Sequence, residues 1–274
     1  MTTAAVHSFQ VDRARVTVHG STGAMNAAVA PQVAGVLVDA VAALGRARVI
    51  IGTGPSQAGF IAALVDRREV EWSRVEVFHM DEYLGMPLTH PASFRRWLRD
   101  HLTDHVRPAQ VHELAGDAAD PSLEAERYAA LLNAAPIDLS CVGFGENGHL
   151  AFNDPHVADF DDPCTVKLVA LDDRCRLQQV GEGHFPSLAD SPARALTVTL
   201  PALMRARSVV ACVPGRRKAD AVRAALEGPI APTCPASLVR RHPHAFVHLD
   251  PEAASLLRRE APVMSPTDHT LLER

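Results

Sequence analysis

The sequence offers no pairing scheme for its cysteines. Cys141, Cys164, Cys175, Cys212 and Cys234 are odd in number and show no C-x-x-C pair, which points to reduced thiols in a cytoplasmic protein. Zinc-ligand spacing is missing too, so no metal is expected. Met1 to Gln10 lacks the basic start and apolar core of a secretory signal. No apolar run reaches the roughly 18 residues a membrane span requires, so no membrane partner is expected. Basic excess is also absent. Lys plus Arg total 27 against 32 Asp plus Glu, giving −5 with no long basic run, which argues against nucleic acid as a partner. Neither an internal repeat nor a low-complexity linker divides the chain.

What is present suits a substantial core: 274 residues, 47% hydrophobic and 22% charged. Strand-like runs are expected at Arg15 to His19, Arg48 to Ile51, Val75 to Phe78, Val111 to Leu114, Ile137 to Val142, Thr165 to Leu171, Ala195 to Leu200, Ser208 to Val213 and Ala245 to Leu249. Helical spacing falls between them. It covers Gly23 to Leu44, closed by Gly45 and kinked or split at Pro31, then Ser56 to Asp66, Ala92 to His101, Ser122 to Asn133, a helix after Pro214-Gly215 that stops at Gly228, Ala236 to Arg241 and Pro251 to Arg258. Arg95, Arg96 and Arg99 lie off the apolar positions Phe94, Trp97 and Leu98 and are expected on a solvated face. The alternation predicts one α/β domain over 1–274, Rossmann-like, with a mostly parallel sheet flanked by helices. Met1 to Ala5 reads as a frayed end, and from about residue 260 a loose tail is expected.

Chemistry concentrates in two loops. PIDLSCVGFGENGHLAFNDP runs from a buried strand into a glycine-rich loop carrying Glu146, Asn147, His149, Asn153 and Asp154. Ligands in open parallel sheets bind beyond the carboxyl ends of strands, where such a loop would lie. Imidazole titrates near neutrality, and Asp154 would steer His149 as a general base. A turn or capping role for His149 is the alternative. The second loop, FHMDEYLGMPLTHP, places Asp81 and Glu82 just past another strand, where Asp81 fits a base or an N-cap. Two weaker anion signals accompany them. Gly52, Thr53, Gly54 and Ser56 open a helix as a phosphate cradle would, and Arg216, Arg217 and Lys218 crowd a helix start that ordinarily disfavours cations.

MDEYLGMPLTHPASF and GFGENGHLAFNDP resemble the two signature loops of the glucosamine-6-phosphate deaminase family, MDEYVGLPxEHPxSY and GxGNDGHIAFNEP. The later ALTVTLPALMRARSVVACVPGRRKADAVRAALEG is similar to a third block of that family, and the likeness spans about Val49 to Leu249. The resemblance implies conversion of glucosamine 6-phosphate to fructose 6-phosphate and ammonia, by ring opening and enolamine isomerisation, without metal or organic cofactor. It implies that Asp81 shuttles the C2 proton and that His149, steered by Asp154, opens the ring. Gly52, Thr53, Gly54, Ser56, Glu82, Asn147, Lys167 and Lys218 would bind the sugar phosphate. Both monomers and hexamers occur in the family, so a homo-oligomer is possible.

Three departures stand out. Asn147 occupies the place of an aspartate and cannot take a proton, so Glu146 is a candidate substitute. The relay glutamate is shortened to Asp154. Thr165 and Gly181 stand where phosphate-binding arginines are common, with Lys167 retained. The alternatives are the 6-phosphogluconolactonase branch, whose DGHxASLFP differs from NGHLAFNDP, and a sugar-phosphate sensor without turnover.

Overall fold

The structure, a computed structural model, describes residues 7–258. The expected frayed start at Met1 to Ala5 and the tail from about 260 lie outside the described residues. Strands β1 (His7–Val11) and β2 (Ala14–Val18) form a hairpin, followed by α1 (Thr22–Leu44), β3 (Ala47–Ile51), α2 (Pro55–Val65), β4 (Val75–His79), β5 (Asp81–Tyr83) and α3 (Phe94–Leu98). Next come β6 (Gln110–His112), α4 (Pro121–Asn133), β7 (Leu139–Val142), β8 (Val166–Ala170), α5 (Asp173–Gly181) and β9 (Arg194–Val198). The chain continues through α6 (Leu200–Met204), β10 (Ser208–Val213), α7 (Ala219–Glu227) and β11 (Ala245–Leu249).

Eight strands make the main sheet in the order β1-β2-β11-β10-β7-β3-β4-β6, and every pairing but the first hairpin is parallel. Strand β3 continues outward through α2 to β4, whereas β7 leads the chain the other way to β10. Their adjacency is therefore the switch point beyond which a ligand cleft opens. Strands β3 and β7 are buried along their whole length, as helices on both faces require. On one face α1 and α2 pack Val33, Leu37, Phe60 and Leu64 against Val49 and Ile51; on the other, Tyr128, Leu203 and Val222 pack with Ile50 and Val142.

Helix α1 has 23 residues, and an 18-residue window of it has a mean hydropathy of 1.8, long and apolar enough to cross a membrane. Here one face is buried instead: Met25, Val29, Val33, Ala34 and Leu37 belong to the core beside β3. Pro31 stays within the helix without splitting it, and Gly45 at φ 73° closes it. Pro251 to Arg258, expected as a helix, is a run of turns. A small antiparallel sheet, β5-β9-β8, stands over the carboxyl ends of the main strands, and Tyr83, Phe94, Phe152 and Phe185 pack beneath it.

Candidate active site

Beyond the carboxyl ends of β3, β4 and β7 a cleft is lined by Gly52, Thr53, Gly54, Ser56, Asp81, His149 and Lys218. Four separate segments therefore converge, the two signature loops among them. Gly52 abuts the Cys141 carbonyl, which a Cβ would approach to 2.9 Å, so the loop can pass over β7 only without a side chain. Gly54, at φ 99°, then turns the chain into α2, with Pro55 at its first turn and the helix's amino end against the cleft.

Asp81 begins β5, with Met80 alone between it and the end of β4. Its side chain is buried, and burial first, then the neighbouring Glu82 charge, push its carboxyl well above the ordinary range. His79 holds this turn. Its Nε2 accepts from the Leu114 N–H at 2.8 Å, so Nδ1 carries the proton and donates to the Asp81 carbonyl at 3.0 Å. Burial keeps His79 neutral, with a pKa of about 4.

His149 stands on Gly145, where any Cβ would run into the imidazole. The glycine is therefore a seat for the ring as well as part of the turn closed by Gly145 N–H to His149 O and Gly148 N–H to Gly145 O. Nδ1 lies 3.0 Å from Asp154 Oδ1, although the ring N–H points off the line to that oxygen. Burial alone would raise Asp154, but the His149 contact, the Asn147 amide and the Asp172 N–H together hold it below its usual value. Asn147 Nδ2 donates to Asp154 Oδ1 at 2.9 Å while its Oδ1 accepts the His149 N–H at 3.0 Å. Asn147 thus ties both ends of the His149–Asp154 pair and does not line the cleft. The following Ala151 has φ 51°, an unusual backbone for alanine at a residue lining the cleft.

Several expected ligand residues lie elsewhere. Glu82 is fully buried, and its oxygens accept from Ser93 Oγ at 2.7 Å and from the N–H groups of Tyr83, Phe94 and Arg95 at 3.1, 3.2 and 3.1 Å. It anchors the start of α3 and has no face toward the cleft. Lys167 Nζ is consumed by Asp162 Oδ2 at 2.6 Å and the Val157 carbonyl at 2.7 Å. Glu146 does not replace the missing aspartate: its carboxylate faces Arg217 at 3.2 Å, not His149. Thr165 bonds Asn133 and Arg205 away from the cleft. The Gly181 position is overlain by the Arg217 guanidinium, which a Cβ would meet at 2.7 Å. Arg95, expected in solvent, is buried between Glu82, Asp117 and the Met86 carbonyl.

The cleft also holds residues the sequence reading passed over: Gln178, Gln179, Glu182 and His184, on or just after α5. Gln179 Oε1 accepts the Tyr83 hydroxyl at 2.8 Å, and Gln178 Nε2 donates to Glu182 Oε1 at 2.9 Å. Glu182 stands 4.0 Å from Lys218 Nζ. Burial lowers the Lys218 ammonium below its usual value, with Glu182 and then Glu146 pulling the other way. Adjacent glutamines in an otherwise charged stretch were the only signal available.

A parallel α/β sheet with a buried acid and an imidazole meeting at its switch point, beside a helix amino end and an ammonium, defines a class of enzymes that move protons on small anionic substrates. The family profile described as "Glucosamine-6-phosphate isomerases/6-phosphogluconolactonase" matches residues 20–247, and the chain belongs to that family. Glucosamine-6-phosphate deaminases of Exiguobacterium sibiricum and Pseudarthrobacter chlorophenolicus are 36% and 38% identical over 192 residues. Those alignments cover 70% and 69% of this chain and 74% and 72% of the relatives. A solved monomeric glucosamine-6-phosphate deaminase superposes with a TM-score of 0.80 at 27% identity, covering 88% of this chain and 99% of that one. A 6-phosphogluconolactonase from Shewanella baltica, 19% identical with a TM-score of 0.71 over 88% of this chain and 98% of its own, shares the fold.

Proposed function

We propose that the protein converts a 2-amino-2-deoxy-aldose 6-phosphate, with glucosamine 6-phosphate the first candidate, to the ketose 6-phosphate and ammonia. Water is consumed as the C2–N bond is replaced, so the net reaction is a hydrolytic deamination carried on an aldose-ketose isomerisation. The observation that carries this reading is the meeting of Asp81 and His149, distant in sequence, in one cleft with Lys218. His149, with Asp154 behind it, takes the ring hydroxyl proton and opens the pyranose. Asp81 takes the proton from C2 and returns it at C1, passing through an enolamine. Burial that makes Asp81 a reluctant acid also makes it a stronger base toward carbon. Lys218 and the amino end of α2 receive the phosphate. Glu146, Glu82 and Lys167 have no part in this scheme; Asn147 acts by positioning Asp154 and His149.

The five thiols are free and four of them buried, which supports a reducing, cytoplasmic setting. Ammonia release from glucosamine 6-phosphate by the purified protein tests the proposal. Release that falls about 10²- to 10⁴-fold in Asp81→Asn is expected. Hydrolysis of 6-phosphogluconolactone in its place, or thermal stabilisation by the sugar phosphate without product, would overturn it.

A further inference from the structure

We propose that His149 Nδ1, the Asp154 carboxylate and Cys175 Sγ form a binding site for one Zn²⁺-like transition metal ion, and that the ion switches the active site off. The three donor atoms lie within 4.8 Å of one another, and all three residues are buried, at 8%, 0% and 1% exposure. Tetrahedral zinc, with bonds of about 2.0–2.3 Å to nitrogen, oxygen and sulfur, needs its ligand atoms roughly 3.3–3.8 Å apart, so small side-chain shifts suffice. The histidine and the carboxylate already face one another, with Nδ1 3.0 Å from Asp154 Oδ1. A buried ring nitrogen beside a carboxylate and a thiol brings three different donor atoms to one point.

The field favours a cation. The Asn147 amide reaches both Asp154 Oδ1 and Asp172 Oδ2, so two carboxylates stand together at this point. A bound ion displaces the Cys175 thiol proton to solvent. Asp154 is already oriented from behind by Asn147 Nδ2 at 2.9 Å and the Asp172 N–H at 3.4 Å, the kind of support that tightens metal sites. A nitrogen, an oxygen and a sulfur select zinc over magnesium or calcium, which require shells of oxygen. Two of the donors are the proposed base and the carboxylate that steers it. A bound ion therefore takes Asp154 away from His149 and fixes the imidazole, making the metal an inhibitor and not a cofactor.

Metal binding is read without turnover, so failure of this proposal is distinguishable from failure of the proposed reaction. The whole chain is titrated with ZnCl₂ against a chromogenic chelator, and separately with Co²⁺ in the spectrophotometer. One zinc per chain, a raised melting temperature and a thiolate-to-cobalt charge-transfer band are expected, with Mg²⁺ inert at the same concentration. Cys175→Ser lowers zinc affinity at least tenfold and removes the band. Its ammonia release is resistant to zinc, whereas that of Cys164→Ser stays as zinc-sensitive as in the unmodified chain. Absence of the band in the unmodified chain, its survival in Cys175→Ser, or equal stabilisation by Mg²⁺ would overturn the proposal.

Discussion

At the residue scale the proposed chemistry rests on placing a carboxylate where water barely reaches. The neutral form of Asp81 is favoured by burial and by Glu82, so its contribution to stability is fully present below the ordinary carboxylate range and is lost as pH rises through the raised value. Activity runs the other way, because only the carboxylate can take a proton from carbon. The acid limb of kcat/KM is therefore expected above the usual carboxylate range, and a profile that stays flat down to about pH 4 contradicts this assignment. Asp81→Asn should cost activity while stabilising the fold at pH 8 by about 0.5–2 kcal/mol, a gain that disappears at low pH. Melting curves at the two pH values check it. That Asp81, His149 and Lys218 lie at one cleft was legible because each follows a recognisable strand or turn. Glu82 and Lys167 were misplaced for a shared reason: their partners, the amino end of α3 and Asp162, satisfy them locally in space, and sequence adjacency to a site does not reveal which way a side chain faces.

At the element scale, the loops work because the strands and helices that hold them are closed off by other means. The Glu82 carboxylate stands in for an N-cap at α3, alongside Ser93, whose Oγ accepts the Arg96 N–H at 3.3 Å. Glu82→Ala leaves the Ser93 hydroxyl, two helix N–H groups and the buried Arg95 without their acceptor. A loss of about 3 kcal/mol in denaturant unfolding is expected, with KM for the sugar phosphate unchanged in the folded fraction. A raised KM at unaltered stability would return Glu82 to the substrate site. Periodicity revealed α1, α2, α4 and α7 because each buries an apolar stripe. It missed α5 because the buried residues of that helix are Cys175, Gln178 and Gln179, which carry little hydrophobic signal. Arg95 was read as solvated by the same logic, since its acceptors come from β5 and from the loop before α4.

At the scale of the whole molecule, the sheet order decides that loops from opposite halves of the chain share a cleft, and the same sheet carries a buried acid-sensitive set. His79 beside the cleft and His248 in β11 are both held neutral at about 4, by burial and, for His248, also by the facing His19. His248 Nε2 donates to Gln32 Oε1 at 2.7 Å, so its Nδ1 accepts from His19 Nε2 at 3.0 Å. For a histidine with a depressed value, stability is fully present above about 6.5 and is lost as pH falls toward 4. Each of the two contributes about 3 kcal/mol to that loss at full protonation. Chemical unfolding is expected to weaken progressively from pH 6.5 to 4, and a constant unfolding midpoint across this window would contradict the burial of these rings. The alternation of strands and helices made the parallel sheet legible. The runs that become β8 and β9 were legible as strands, but not their antiparallel pairing with β5, a three-residue strand more than eighty residues earlier in the chain.

The proposed mechanism gives the two proton acceptors separable tasks, and nuclear magnetic resonance can watch them separately. Exchange between the α and β anomers of glucosamine 6-phosphate reports ring opening, and ammonia reports the later proton transfer at carbon. Asp81→Asn is expected to accelerate anomer exchange as the unmodified protein does while its ammonia release falls by about 10²-fold or more, and His149→Gln to accelerate neither. Undiminished ammonia release in Asp81→Asn, or undiminished anomer exchange in His149→Gln, would contradict a cleft in which one loop opens the ring and the other moves the carbon-bound proton.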